Sequence, residues 1–201
     1  FTPGRDAARK EASKLNVPRI GVRFRLPASM NQVEYFGRGP AENYLDRNAG
    51  SMIGLYKSTA EELYFPYVRP QENGHHTNTR WVSLSTGKKG LLIQADNTIG
   101  FNALRNSIED FDDEEATGLP RQWSNFTPEQ VANHDEAAAK NVLRRQHHIN
   151  DITPRNFVEV CVDLKQQGVA GYDSWGSRPE PAYTLPANRE YNWGFTLIPL
   201  K

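Results

Sequence analysis

The sequence predicts an all-β fold, an antiparallel β-sandwich assembled from short strands. Several segments alternate apolar and polar residues with a period of two, and turns that contain glycine and proline separate them. Few segments favour helix, and strands linked by turns in this way are typical of sandwiches. At 201 residues the chain is long enough to bury a core of its own.

The clearest alternation lies in residues 157–167. Four apolar residues there are predicted to face the core: Val158, Val160, Val162 and Leu164. The residues between them are predicted to lie on the opposite face: Glu159, Cys161, Asp163 and Lys165. Residues 19–26 alternate likewise, with one apolar face made of Ile20, Val22, Phe24 and Leu26. Further strands are predicted at residues 32–36, 80–86, 91–95 and 191–200, and the turn at residues 87–90 predicts a hairpin.

Two segments depart from the strand pattern. Residues 6–15 are rich in alanine and lysine and predict a helical turn or a connection into the first strand. Residues 128–145 predict a helix, because Thr127 can cap it and Pro128 suits its first position. The acidic run at residues 109–115 is interpreted as a solvated loop, since no ligand loop of the EF-hand type accompanies it.

Composition argues against several classes of partner and site. The chain has 24 Lys and Arg against 24 Asp and Glu, so it has no net charge with which to attract nucleic acid or an anionic membrane. No apolar run approaches the roughly 20 residues of a membrane span. One cysteine, Cys161, rules out an internal disulfide framework and a thiolate zinc site. The histidine pairs at 75–76 and 147–148 lack the spacing of a chelate, so no metal site is predicted.

Carboxylates in turn-like segments are the remaining catalytic candidates. A glycosidase needs two carboxyl groups that flank the sugar, and Glu42, Asp46 and Glu72 lie in such segments. Their positions favour structural hydrogen bonding that holds long loops in place. The sequence therefore predicts no catalytic residue within this chain.

One loop has the composition of a ligand site. Residues 168–176 read GVAGYDSWG and follow the most regular predicted strand. Glycines allow sharp backbone bends, and an exposed indole offers a flat apolar face to a sugar ring. The plain alternative is that Trp175 fills the edge of the core, as large aromatic side chains usually do.

Three motifs, in order and in register, give the chain a family resemblance. Residues 37–47 read GRGPAENYLDR, residues 67–74 read YVRPQENG with Thr79 and Arg80 following, and residues 163–176 read DLKQQGVAGYDSWG. Together they resemble the terminal segment of bacterial β-galactosidases of glycoside hydrolase family 2. The likeness extends from about residue 18 to the end of the chain. Ala170 and Tyr172 depart from the Gly and Asp that are usual in the third motif.

The resemblance implies a fold and a supporting role. It divides the chain into a connection, residues 1–17, and a C-terminal sandwich domain, residues 18–201, similar to galactose mutarotase and lacking its first strands. The catalytic glutamates are implied to lie in a separate barrel, the partner domain of the same polypeptide. Trp175 is implied to form an apolar platform for a β-galactoside or oligosaccharide, with Asp173 and Ser174 beside it. No cofactor is implied in this chain, because the Mg and Na ions of such enzymes bind mostly elsewhere, and the parent is implied to be a homo-oligomer.

Two other functional classes fit the same pattern. An independent carbohydrate-binding module would also be a sandwich with an exposed tryptophan. An epimerase similar to mutarotase would need a histidine acid and a glutamate base that meet in a cleft.

Overall fold

The computed structural model describes residues 15–68, 71–111, 149–173 and 176–201. The strands are β1 (Arg19–Pro27), β2 (Gln32–Gly39), β3 (Met52–Thr59), β4 (His76–Ser85), β5 (Gly90–Leu104), β6 (Phe157–Gln166) and β7 (Phe195–Leu200). Short 3₁₀ turns lie at Ile108–Phe111, Ile149–Asp151 and Pro181–Tyr183. Across these ranges, no helix has the length and apolar character needed to cross a membrane.

All seven strands belong to one open antiparallel sheet. The order is β1-β6-β5-β4-β2-β3, and β7 pairs with β5. β5 spans two neighbours, because its residues 90–95 pair with β7 and its residues 100–104 pair with β6. Between these halves the register against β4 shifts, so that extra residues of β5 bulge and bend the strand. The prediction of an all-β, antiparallel sandwich fold is confirmed.

The core lies on one face of this sheet. Tyr35 is fully buried at its centre, and its ring packs against Phe101 and His76 at centroid distances of 5.0 and 4.9 Å. Val158, Val160 and Val162 are fully buried in the same cluster, which confirms the predicted face of β6. Such continuous apolar contact is the main source of stability in a domain of this size.

The structure differs from the sequence prediction at several places, and the last strand begins at Phe195 instead of residue 191. Leu164 is only half-buried and outside the core cluster, because the register shift between β1 and β6 falls at this residue. β3 was not predicted, since Met52, Ile53 and Leu55 are exposed on an edge strand and no alternation marks it. The acidic run begins with Glu109 half-buried and Asp110 buried rather than solvated.

Arginines explain the burial of these two carboxylates. Glu109 pairs with Arg23 at 2.6 Å, and Asp110 pairs with Arg155. Residues 112–115, most of the predicted connection at 6–15, and the helix predicted at 128–145 lie outside the described residues.

Replacing a central valine with a charge tests the assignment of the core face. Val160→Asp would bury a carboxylate without a cation and should leave the purified chain unfolded, because the cost of several kcal/mol is comparable to the whole stability of a domain. Val68→Asp is the matched control, since Val68 is 82% exposed. Circular dichroism melting curves should show a cooperative transition only for the control. A normal melt of Val160→Asp would mean that the face is wrongly assigned.

Candidate functional site

The described residues that follow β6, 168–173 and 176–177, form the tip loop, which is closed by hydrogen bonds at both ends. At its start the Gly168 N–H donates to the Tyr183 carbonyl at 2.8 Å. Further along, the Tyr172 N–H donates to Ser177 Oγ at 3.1 Å, and the Ser177 N–H donates to Asp173 Oδ1 at 3.3 Å. The outer part of the loop is therefore tied together across its base.

Asp46 attaches this loop to a distant part of the chain. Its Oδ1 accepts a hydrogen bond from the Val169 N–H at 3.1 Å, and its Oδ2 accepts one from the Ala170 N–H at 2.8 Å. The Tyr172 hydroxyl lies 3.4 Å from the same Oδ2. A Cβ at Gly168 would overlap the carboxylate, so this close approach requires glycine.

The segment that carries Asp46 is pinned by the buried side chain of Asn43. Asn43 Nδ2 donates to the carbonyls of Arg38 and Ala41, each at 3.1 Å. Asn43 Oδ1 accepts from the Thr77 N–H at 2.9 Å and from the Thr77 hydroxyl at 2.5 Å. Both donors and the acceptor of the amide are in use, as a fully buried side chain requires.

Glu42 joins the same segment to the second motif. Its Oε2 accepts from the Gly74 N–H at 2.6 Å, and its Oε1 accepts from Arg47 Nη2 at 2.6 Å and from the Tyr67 hydroxyl. Such charge-assisted bonds hold the carboxylate in one position. The role predicted for Glu42, holding loops in place, is confirmed.

A second polar group lies between β1, β5 and β6, and we call it the Arg19 cluster: Arg19, Glu72, Asn102, Asp163 and Gln166. Arg19 Nη2 lies within hydrogen-bond distance of Glu72 Oε1, Asn102 Oδ1 and Gln166 Oε1, at 3.1, 2.9 and 2.6 Å. Arg19 Nε lies 3.0 Å from Asp163 Oδ2, paired by charge without an aligned hydrogen bond. One guanidinium thus contacts two carboxylates inside the fold.

Burial alters protonation in and around this cluster. It raises the pKa of Asp163 to about 7, although Arg19 acts in the opposite direction. Burial, reinforced by Arg19, lowers the pKa of His75 to about 3, so this imidazole is neutral at pH 7. His75 Nδ1 lies 2.8 Å from Asn102 Oδ1, which fixes the ring among polar neighbours. Within the described ranges, no group of three or more His, Cys, Asp or Glu side chains could hold a metal ion.

The comparison with known families decides the identity of the chain. Residues 5–197 match the family model described as the β-galactosidase small chain. The chain belongs to this family.

Relatives of this small-chain domain are whole β-galactosidases. The β-galactosidase of Priestia megaterium is 34% identical over 185 residues, which are 92% of this chain but 15% of that protein. The β-galactosidase of Arthrobacter sp. is 39% identical over 111 residues, 52% of this chain and 11% of that protein. The Streptococcus thermophilus β-galactosidase is 28% identical over 187 residues, again 92% and 15%. The matches to the Priestia and Streptococcus proteins extend over 92% of this chain. They cover only about 15% of the length of those relatives.

The structure brings all three family motifs together. Glu42 of the first motif binds Gly74 of the second, and Asp46 of the first binds the tip loop of the third. Of the three predicted substrate-binding residues, Asp173 is exposed in the tip loop. Ser174 and Trp175 lie outside the described residues, as do the histidines at 147–148.

The two departures from the family motif are both visible in the tip loop. Ala170 has a left-handed φ of 55°, which glycine adopts freely and alanine does not. Tyr172 is 56% exposed, and its hydroxyl points to Asp46 where an aspartate would not reach as far. The small-chain domain thus keeps the loop backbone that glycine favours while presenting an additional aromatic ring.

Sequence reasoning missed the Arg19 cluster. Asp163 and Glu159 were assigned to the face of β6 opposite the core, yet they are 0% and 3% exposed. Cys161 between them is also buried, and burial raises the pKa of its thiol to about 12, so the thiol is not a reactive nucleophile. The signal that was available is the three arginines of β1, which face these positions across the β1–β6 pairing.

A groove with a volume of about 580 Å³ lies away from the tip loop. It is lined by Glu34, Arg80, Trp81, Ser83, Leu92, Gln94, Ala95, Asn97 and Leu200. Trp81 and Leu92 lie on the face of the sheet opposite the buried Val82 and Ile93. A half-buried indole beside polar side chains suits a sugar, but no residue of the tip loop contributes to it.

Removing Arg19 should destabilise the domain in a pH-dependent way. Arg19→Met leaves Asp163 buried without a cation, so we expect a loss of about 3 kcal/mol in unfolding free energy at pH 8.5. Without Arg19 the pKa of Asp163 rises further, so folding of the variant is accompanied by proton uptake and its deficit grows as the pH rises through about 7. At pH 5.5 Asp163 is protonated in both proteins, and the deficit should be smaller.

Urea unfolding at the two pH values measures both quantities. Arg23→Met is the control, because Arg23 is partly exposed and should lose less than about 1 kcal/mol at either pH. A deficit of Arg19→Met that stays constant from pH 5.5 to 8.5 would contradict the role assigned to Asp163.

Proposed function

We propose that the chain is a non-catalytic domain of a β-galactosidase, which supplies a sugar-contacting loop to an active site completed by a catalytic partner domain. The observation that carries this proposal is that hydrogen bonds join the three family motifs, with Glu42 bound to Gly74 and Asp46 bound to the tip loop. The first two motifs support the third, which contains the tip loop. Asp173 is exposed in this loop, and Ser174 and Trp175 follow it in the sequence.

The engagement of the motif carboxylates supports the non-catalytic part of the proposal. Glu42 binds a backbone amide and an arginine, Asp46 binds two backbone amides, and Glu72 binds Arg19 and Asn102. A retaining glycosidase needs one carboxylic acid that carries a proton and a second carboxylate free to attack the sugar. Carboxylates held by several donors are poorly suited to either task, because the donors occupy their lone pairs and hold them within the domain.

The two histidines that the structure describes give no support to an epimerase. His75 and His76 are both buried within the fold, and the pKa of each is lowered, above all by burial. His76 nitrogens lie 3.0 and 3.2 Å from the carbonyl oxygens of Gly74 and Pro40. Neither ring is open to a substrate, whereas an epimerase would need a histidine that faces a cleft.

A second candidate function is independent carbohydrate binding, which the Trp81 groove favours. The groove offers an indole together with Glu34, Arg80 and Gln94, the pairing of a flat apolar surface with polar groups that recognises sugars. Under this alternative, the isolated chain binds galacto-oligosaccharides in a calorimetric titration, and Trp81→Ala abolishes binding. Under the first proposal, neither observation is expected.

Activity measurements with and without the partner test the main proposal. The purified chain should not hydrolyse a chromogenic β-galactoside, because the motif carboxylates Glu42, Asp46 and Glu72 are bound to donors within the domain. When the chain is added to a β-galactosidase that lacks its corresponding segment, activity should rise in proportion to complex formed. Turnover by the chain alone, lost in Glu42→Gln or Glu72→Gln, would overturn the proposal.

Replacement of Trp175 tests the platform itself. In the assembled enzyme, Trp175→Ala should raise KM by roughly tenfold to a hundredfold, in line with the loss of about 1–3 kcal/mol of aromatic contact. The change in kcat should be smaller, because a platform holds the ground state and the transition state alike. Trp193→Ala is the matched control, since Trp193 packs against the core and its loss should lower Tm without raising KM. A lowered Tm with unchanged KM for Trp175→Ala would refute the platform.

A further inference from the structure

We infer that Asp46 is a positioning residue for sugar binding: its carboxylate sets the backbone of the tip loop and thereby the orientation of the residues at its tip. This inference rests on the proposed function and assigns a role to a residue that does not itself contact the sugar. It links the first family motif, 123 residues earlier in the chain, to the third.

The bonding of Asp46 is specific to the loop backbone. Each carboxylate oxygen accepts one N–H, from Val169 at 3.1 Å and from Ala170 at 2.8 Å. Two adjacent amides bound by one carboxylate fix both the position and the rotation of the peptide units between them. A single bond would leave the loop free to pivot about it.

The conformation that Asp46 selects is one that the loop would not favour by itself. Ala170 is held at a φ of 55°, where its Cβ is crowded against its own backbone. Release of the Ala170 N–H would allow this residue to relax to a negative φ, which redirects the chain that follows. Asp173 lies only three residues further on, so its side chain would change direction.

Asp46 can act in this way because its own support is rigid. The Tyr44 and Arg47 backbones pair with each other on either side of it, by hydrogen bonds of 3.2 and 2.9 Å. Asn43 and Glu42 attach the same segment to β4 and to Gly74. The carboxylate is therefore presented from a fixed platform and not from a second mobile loop.

Loss of Asp46 should affect binding more than folding. The tip loop keeps its other ties, the Gly168 bond to Tyr183 and the bonds of Ser177 with Tyr172 and Asp173. Asp46 itself lies outside the hydrophobic core. A positioning role thus predicts a raised KM with little change in Tm, whereas a purely structural role predicts a lowered Tm with unchanged KM.

The test is a graded series in the assembled β-galactosidase. Asp46→Ala removes both acceptors, and we expect KM for a chromogenic galactoside to rise by about tenfold with kcat changed by less than threefold. Asp46→Asn keeps one acceptor oxygen but turns an amide donor towards the other N–H, so its KM should fall between those of the unmodified enzyme and the alanine variant. Glu190→Ala, a change of an exposed carboxylate outside the loop, should leave KM unchanged.

Hydrogen exchange gives a readout that does not depend on activity. Amide exchange at Val169 and Ala170 should become faster in Asp46→Ala and to a lesser extent in Asp46→Asn, in the same order as KM. The inference is overturned if exchange accelerates while KM stays at its original value, or if KM rises only in proportion to a loss of folded protein.

Trp175→Ala in the same series separates this inference from the proposed function. If Trp175→Ala raises KM and Asp46→Ala does not, the loop contacts the sugar but Asp46 does not position it. If neither variant raises KM, the tip loop is not a sugar-binding element and the proposed function fails with it. If both raise KM and only Asp46→Ala also releases the two amides, the inference is supported.

Discussion

The positions of the second motif and of the tip loop depend on the pairing of buried charge, and Arg19 is its centre. This guanidinium lies between β1 and β6 and faces two carboxylates, Glu72 from the second motif and Asp163 from the strand that leads to the tip loop. Burying a carboxylate without a partner costs free energy. β1 and β6 can therefore pack together at this point only when all three groups are in place. The same requirement places the second motif beside β6 and determines where the tip loop emerges.

The loops also depend on the pairing of polar groups, in this case backbone N–H and carbonyl groups. Long loops carry backbone N–H and carbonyl groups that cannot stay unpaired once they are covered. Asn43, Glu42 and Asp46 supply those partners, and each binds backbone atoms at a considerable sequence distance. The polar residues of these motifs determine the geometry of the loops. Three separate motifs therefore form one support.

Alternation in the sequence predicted most of the strands of the sheet but not the Arg19 cluster. β1, β2, β4, β6 and the hairpin before β5 were predicted from period-two patterns, because one face of each carries core residues. β3 was not predicted because it is an edge strand with exposed apolar side chains. The burial of Asp163 was not predicted because a charged residue is assigned to the solvent-facing side until its partner is known. The tip loop was predicted from composition and family motif, whereas its contact with Asp46 depends on the fold and has no local signal.

A loop that is ordered before the sugar arrives binds it more effectively than one that must be ordered on binding. Fixing a residue costs on the order of 1–2 kcal/mol of conformational entropy, so a loop of several residues would consume most of the energy of an aromatic–sugar contact. Asp46 binds two amides of the tip loop, and Ser177 closes its outer end, which moves that cost from binding to folding. The carboxylates of the motifs are bound to donors within the domain, as the supporting role proposed above requires. In the function proposed above, the small-chain domain contributes to substrate affinity and the partner domain carries out the chemistry.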